Sequence, residues 1–441
     1  MKLYPDSKIY ILCPGNVQTG GPESMHQLAS VLSSFGLHVY MAYFPLNHSL
    51  FKKDSPVHDV YKKYHIPYVL EPEDRSQNIV IAPEANTWQL YIPKKIQRVI
   101  WWMSVDNYLK NIVDIFQYYI KNTLVGPMPN FFTFGTTDKN IEHWGQSEYV
   151  RQFLRLNGVT KIKTVETHMS QNFLSRSSLV DLTAKKNFVA FNPSKGFEIT
   201  QYLMNIAPDI DWRPIENMTP AQVQKLLAEA KIYIDFGEFP GRERLPREAI
   251  LSGCVVITGK RGAAANDVDV NIPAEFKFDM QAKPQDIIKK IRDVFDNFER
   301  EFDKQKDFRE KELNAQKNFT AEVADAFGIK NLPSPTVALI QGVSEKNFLL
   351  AQELFKSKDF TPKFIVDDLL ASTEIFDELI LREQNRNYLR VGENFIEIIT
   401  RDDAEFLYLE GRIKKFASLE PTIEELDAWK KFSADLLIFH S

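Results

Sequence analysis

Cysteine is nearly missing from this chain: Cys13 and Cys254 are far apart, and each sits in an apolar stretch. That excludes a disulfide-stapled scaffold and reads as two buried thiols in a reducing, cytoplasmic setting. No CxxC or HExxH pattern occurs, so no metal site is expected. No apolar run approaches the length of a membrane span. The run Ile9–Cys13 is too short for a signal-peptide core and is stopped by Pro14. Positive charge is not in excess either: 54 Lys and Arg against 59 Asp and Glu give a net charge of −5, which argues against nucleic acid as partner. The GxGxxG fingerprint is absent, so a dinucleotide-dependent dehydrogenase fits poorly.

What the chain does have is 441 residues, 44% of them hydrophobic and 26% charged, enough for two or three ordinary globular domains. A strand at 8–13, a turn-rich loop, a helix from Glu23 to Phe35 with Met25, Leu28 and Leu32 on one face, and a strand at 37–43 make a βαβ opening. Further strands are expected at 78–82, 98–103 and 131–135, and helices at 108–121 and 148–157. A new βα series starts at 186–192 and closes with an amphipathic segment from Pro284, where Ile287, Ile291, Val294, Phe298 and Phe302 keep helical spacing. Residues 331–335, NLPSP, punctuate its end. In the tail, strands at 337–342 and 363–367, a helix at 345–357 and a strand pair at 394–400 and 405–409 suggest a small α/β region. The expected division is 1–165, 166–330 and 331–441.

The segment Lys231–Asp269 is the most informative. Two apolar strands, IYIDF and CVVI, bracket a Gly/Pro/Arg loop and a short helix, and the turn Gly259-Lys260-Arg261-Gly262 follows. In a parallel sheet both loops open at strand carboxyl ends, where ligands bind. Helix N-termini and exposed backbone N–H groups there suit a diphosphate. The order of strand, loop, Leu-Pro-x-Glu-Ala helix, Ser-Gly, strand and Gly turn resembles the donor-binding half of the GT-B glycosyltransferases with an E-x7-E motif, in a divergent branch similar to enzymes of bacterial surface polysaccharides.

The resemblance implies an α/β fold of GT-B type, with two Rossmann-like domains facing across a cleft and a small C-terminal α/β extension. It implies a nucleotide-sugar donor and a saccharide, glycolipid or protein acceptor, with no metal and no bound cofactor. Lys195, in the loop after the first strand of the second half, resembles the family's Lys-Gly. Arg261 and Gly262 stand where the family contacts the diphosphate, and Arg242 and Arg244 flank the donor loop. Glu248 matches the second Glu of the motif and would grip ribose hydroxyls; its plain alternative is a carboxylate complementing a helix dipole. The first Glu of the motif is replaced by Pro240, leaving Glu243 and Glu238 as nearby acids for the donor sugar, with Glu243 the candidate catalytic one.

On the acceptor side, Gly20 and Gly21 look like the family's N-terminal Gly-Gly, with a flexible turn as the alternative. Ser104, Asp106 and Asn107 follow a strand. Asp106 is the candidate base if the reaction inverts, and helix capping is the plainer role for all three. His143, Trp144 and His26 read more simply as core residues. The alternatives to a transferase are a non-catalytic subunit docking a partner transferase, favoured by Pro240, and a sugar-nucleotide epimerase. A lipid-linked acceptor would bring the protein to the inner membrane face, yet no basic amphipathic helix argues for that.

Overall fold

A computed structural model describes residues 1–441 except 47–54, 122–129, 136–139, 171–172, 175–176, 178–180, 331–336, 342–346, 348–350, 352–360, 367–379, 384–385, 392–393, 401–402, 404–412, 420–434 and 440–441. The chain divides into two compact units, one of residues 4–72 with 330–441 and one of residues 1–3 with 73–329. The class is α/β, as the sequence implies.

In the first unit, β1 (Lys8–Pro14), β2 (His38–Phe44) and β3 (Tyr68–Val69) run parallel in the order β3-β2-β1. The apolar core of β1, Ile9 to Cys13, is buried throughout, as a parallel strand covered on both faces requires. The connecting helix spans Gly20–Ser34 and starts before the expected Glu23. Gly20 and Gly21 are therefore its first two residues, not part of the preceding loop, and Pro22 suits the first turn because its missing N–H would find no intrahelical acceptor there. His26 is structural: its ring stacks on Tyr61 with centroids 4.3 Å apart, and Nε2 meets the Tyr43 hydroxyl at 2.8 Å. Burial holds its pKa down at about 4. Both cysteines are buried and unpaired.

The second unit holds two parallel sheets. The strands β4 (Ile79–Pro83), β5 (Gln97–Trp102), β6 (Ile141–Gly145) and β7 (Ile162–Thr164) lie side by side in that order. The strand expected at 131–135 is not one. Phe132 and Phe134 instead pack on Trp102, with centroids 5.8 and 5.5 Å away, and the Phe132 amide donates to Thr87 Oγ1 at 3.1 Å. The Phe132 amide is thus taken by a side-chain hydroxyl and not by a neighbouring strand. The true strand is β6, where His143 Nδ1 accepts from Trp102 Nε1 at 3.0 Å and Trp144 packs on Phe327, both as core residues.

The other sheet comprises β8 (Lys186–Phe191), β9 (Asp211–Pro214), β10 (Ala230–Asp235), β11 (Val255–Gly259) and β12 (Lys277–Phe278), ordered β12-β11-β10-β8-β9 with all neighbours parallel. The chain passes from β8 to β9 on one side, then returns across β8 to place β10, β11 and β12 on the other. The direction of winding thus reverses between β8 and β10, where their carboxyl ends leave a crevice. Helix Pro284–Asp296 buries Ile287, Ile291 and Val294 as expected. The helix then breaks at Asn297 (φ −128°, ψ 41°), so Phe298 and Phe302 belong to a separate short helix.

One buried ion cluster fastens these parts together. Glu312, fully buried on helix Lys306–Leu313, pairs with Arg242 and with Arg247 Nε, the latter at 2.6 Å. Arg242 also pairs with Glu166, and Arg247 Nη2 donates to the Thr167 carbonyl at 2.8 Å. From the opposite direction, the Asp269 carboxylate accepts the Glu148 and Tyr149 amides at 2.7 and 2.9 Å, capping helix Glu148–Leu156.

In the first unit, the tail forms an α/β sheet of β13 (Val337–Gln341), β14 (Thr361–Val366), β15 (Ile380–Glu383), β16 (Arg386–Val391), β17 (Asn394–Thr400), β18 (Ile413–Leu419) and β19 (Asp435–Phe439), in the order β15-β16-β17-β14-β13-β18-β19. The expected strand at 394–400 is β17; its antiparallel partner is β16, while 405–409 and most of 345–357 lie outside the described residues.

Burial works to raise the Glu312 pKa, yet Arg242 and Arg247 hold its carboxyl down at about 2. A depressed pKa contributes stability above the unfolded-state value that is lost as pH falls toward the folded one. Glu312→Gln should lower unfolding stability at pH 7 by about 3–5 kcal/mol, because two guanidinium groups lose a buried counter-charge. The difference from wild type should shrink as pH drops from 4.5 to 2. Urea unfolding at pH 7, 4 and 3 checks both.

Candidate functional site

The crevice between β8 and β10 collects most of the donor-side candidates. After β8, the loop 192–196 begins with a turn in which the Ser194 amide donates to Asn192 Oδ1 at 3.0 Å. It ends at Gly196, whose left-handed φ of +62° starts helix Phe197–Ile206. A side chain at Gly196 would collide with the backbone of Phe236 and Gly237, so the loops after β8 and β10 are pressed backbone to backbone. Lys195 projects from this contact, and its Nζ pairs with Glu243 Oε1 at 3.0 Å.

Glu243 is the N-cap of helix Arg244–Leu251, and neither this helix nor Phe197–Ile206 has a side chain bonded to its first-turn amides as a cap. Pro246, the third helical residue, has no N–H that would need an intrahelical acceptor. Glu248 lies one turn in. Its carboxylate accepts Arg244 Nε at 2.5 Å and is mostly buried.

The loop after β11 joins the same loop after β10. Arg261 pairs with Glu238, and the Ala263 amide donates to the Phe239 carbonyl at 2.8 Å. Gly262 (φ +51°) has a packing reason to be glycine, since a side chain there would strike that same carbonyl. Lys195, Glu243, Glu248, Arg261 and Gly262 are thus all brought to the loop 236–243 or the helix it starts.

Arg242 is placed elsewhere. Its guanidinium is buried against Glu166 and Glu312, and it lines an enclosed cavity of about 10 Å³ with Phe239, Gly241, Pro246 and Val270. That is space for one water, not for a nucleotide. Its role is to hold the loop from beneath, because a charge so buried must stay with its counter-ions.

The acceptor-side candidates meet this loop from β5. Ser104 Oγ accepts the Asn107 amide at 3.2 Å, so Ser104 caps helix Val105–Lys121, and Asp106 and Asn107 lie exposed in its first turn. The Val105 amide donates to the Pro240 carbonyl at 3.2 Å. Pro240, which stands where the resemblance would put an acid, is a docking point for the neighbouring turn. Gly20 and Gly21 belong to the other unit.

Two acids went unnoticed in the sequence. Asp235, the last residue of β10, is 4% exposed; Oδ1 accepts the Gly237 amide and Oδ2 the Tyr233 hydroxyl, each at 2.9 Å. Burial pushes its pKa up to about 6, against the pull of those two donors. Glu84, just after β4, is 2% exposed and accepts the Met103 amide at 2.8 Å. Burial outweighs the Met103 and Ser104 amides and pushes its pKa up to about 7. In each case the signal was an acid closing an apolar strand, IYID and IVIAPE. Among the described residues no cluster of three or more His, Cys, Asp or Glu is placed to hold a metal, and no helix is long and apolar enough to cross a membrane.

No family model matches the chain, and no curated protein matches it in sequence. Solved structures similar in chain course include Anabaena Alr3699/HepE in complex with UDP-glucose, at 14% identity over 73% of this chain and 98% of that one, TM-score 0.47. A glycosyltransferase from Rickettsia africae aligns at 14% identity over 74% and 98%, TM-score 0.47. Sucrose-phosphate synthase from Thermosynechococcus elongatus aligns at 11% over 73% and 98%, TM-score 0.48. At such scores the likeness carries no argument about chemistry, which rests on the geometry above.

A raised acid pKa contributes stability below its unfolded value that is lost as pH climbs through the folded one. Glu84→Gln keeps one acceptor for the Met103 amide and cannot ionise. Its stability relative to wild type should therefore rise between pH 5 and pH 8, by about 2–3 kcal/mol. Urea midpoints at both pH values measure this, and a flat difference contradicts it.

Proposed function

We propose that this protein is a GT-B-type glycosyltransferase moving a sugar from a nucleotide-sugar donor to a saccharide, lipid-linked or protein acceptor. The observation that carries the reading is the Lys195–Glu243 pair at the β8–β10 switch point, beside two helix N-termini whose first-turn amides have no side-chain cap. A diphosphate is the ligand such a place suits: helix-end N–H groups, the positive ends of helix dipoles and a part-exposed ammonium all favour negative charge.

In this reading Lys195 and Arg261 take the diphosphate and offset charge as it departs, so the transfer needs no metal. Glu248 takes ribose hydroxyls, and Arg244 orients it. Glu243, released from Lys195 by the incoming phosphate, faces the donor sugar as the reacting-centre carboxylate. Asp106 serves the acceptor as base if the anomeric configuration inverts. A role in polysaccharide or glycoconjugate synthesis, in the cytoplasm or at the inner membrane face, follows from that substrate class.

A non-catalytic subunit that docks a partner transferase is the second reading. It is favoured by Pro240, whose carbonyl is used in packing where an acid would face a sugar.

Titration calorimetry with UDP, GDP and ADP decides between them. The enzyme reading expects one of the three to bind, about tenfold more weakly in Lys195→Ala, the loss of one charge-assisted contact. It also expects turnover of the matching nucleotide sugar in the presence of EDTA. No binding by any of the three to wild type favours the subunit.

A further inference from the structure

Three ion pairs stand at the switch point, beside a buried acid bonded to neutral donors. Lys195 is matched by Glu243, Arg244 by Glu248 and Arg261 by Glu238. Asp235 adjoins the first of these pairs, since Gly237 touches both its Oδ1 and the Lys195 side chain, and its hydrogen-bond donors are both neutral, the Tyr233 hydroxyl and the Gly237 amide. The groups facing it are Tyr233 on its own strand, Lys195 from the loop after β8, Glu243 at the helix start, and the neutral Thr258 opposite it on β11. Glu248 faces the same Tyr233 ring from the helix.

An anionic ligand entering here takes Lys195 for itself. Glu243 then loses its cation, and Asp235 loses the one positive charge that favours its ionised form. A buried carboxylate next to a second carboxylate and a diphosphate is in an untenable position, and the least costly relief is a proton.

We propose that Asp235 is the positioning residue that sets the charge of the donor pocket, taking up a proton from solvent as the anionic donor binds. This rests on the reading of the crevice as a diphosphate site and goes beyond it by coupling that site to pH. Its proton affinity is already raised before any ligand arrives, to a pKa of about 6, by burial. In either protonation state the side chain keeps Gly237 in place. Gly237 in turn packs against the Lys195 side chain, so the loop need not move when the proton arrives.

The probes are UDP-glucose, GDP-mannose and ADP-glucose, whose diphosphates carry no group titrating between pH 5 and 8, so any proton exchanged belongs to the protein. Calorimetry at pH 6.5 in two buffers of different ionisation enthalpy counts protons. Wild type should take up roughly half a proton and bind about fivefold more tightly at pH 5.5 than at pH 7.5, as a one-unit rise in a single pKa requires.

Asp235→Asn preserves the shape, and its amide can donate to the Tyr233 oxygen. It should take up no proton, and its affinity should be flat with pH. Tyr233→Phe removes a donor that favours the ionised form, so it should move the midpoint of the affinity change to higher pH even if the Asn variant folds poorly. Binding without proton uptake in wild type overturns the proposal, as does undiminished uptake in Asp235→Asn or an unmoved midpoint in Tyr233→Phe. Absence of binding by all three probes removes the diphosphate reading itself, which is a different result.

Discussion

A carboxylate buried away from water is held ionised most firmly by positive charge at both oxygens, and Glu312 has it, from Arg242 on one side and Arg247 on the other. These two arginines flank Glu243, Arg244 and the start of the helix carrying Glu248. Fixing them fixes the position from which Glu243, Arg244 and Glu248 are presented. Arg242 reaches on to Glu166 and Arg247 to Thr167, so the same buried charge also fixes the chain segment leading from β7 toward β8. An ion cluster of this kind adds little net stability over well-packed apolar residues. What it adds is geometric: a guanidinium has few acceptable orientations once its counter-ions are chosen. The cost of burial thus goes into where the loop sits, not into how strongly the chain folds.

Above that foundation the electrostatics change character. Lys195, Arg244 and Arg261 are partly exposed, and each holds a carboxylate that solvent can replace. Exposed pairs of this sort are worth about 0–1 kcal/mol each. A ligand carrying two phosphates breaks such pairs cheaply and gains the cations together with two uncapped helix ends. The division of labour between arginines below and cations above follows from burial alone: Arg242 and Arg247 are too deep to exchange partners.

Much of this was legible in the sequence, because periodicity and punctuation report on local packing. The apolar strands IYILC, FVAF, IYID and VVIT, the helix after Leu-Pro-x-Glu and the turns after each strand are all where the pattern places them. The convergence of Lys195, Glu243, Glu248 and Arg261 follows from parallel strand ends lying side by side. The misreadings also have causes. The aromatic run at 131–135 has strand composition, but its rings have a partner, Trp102, that no local pattern announces. Arg242 looks like its neighbours Arg244 and Arg261 in a loop rich in charge. Only the approach of Glu312, seventy residues away, buries one and leaves the others accessible. Asp235 was passed over because an acid ending a strand reads as the first polar residue of a loop.

In the proposed reading, Pro240 sets this site apart from a simple E-x7-E one. Its carbonyl is bonded to the Val105 amide, which ties position 240 to the β5 turn. Glu243, three residues on, is the acid that the loop does aim at Lys195. Moving the carboxylate from the middle of the loop to the helix N-cap changes its surroundings. It stands at the start of helix Arg244–Leu251, and it has a direct cation, Lys195, as partner. In the proposed reading, a carboxylate in that position is held back while the crevice is empty and freed by the arrival of the donor, so that occupancy of the phosphate site and exposure of the reacting acid become one event. The β4–β7 sheet and the β8–β12 sheet on either side are fastened together by Glu312, Asp269 and the Val105–Pro240 contact.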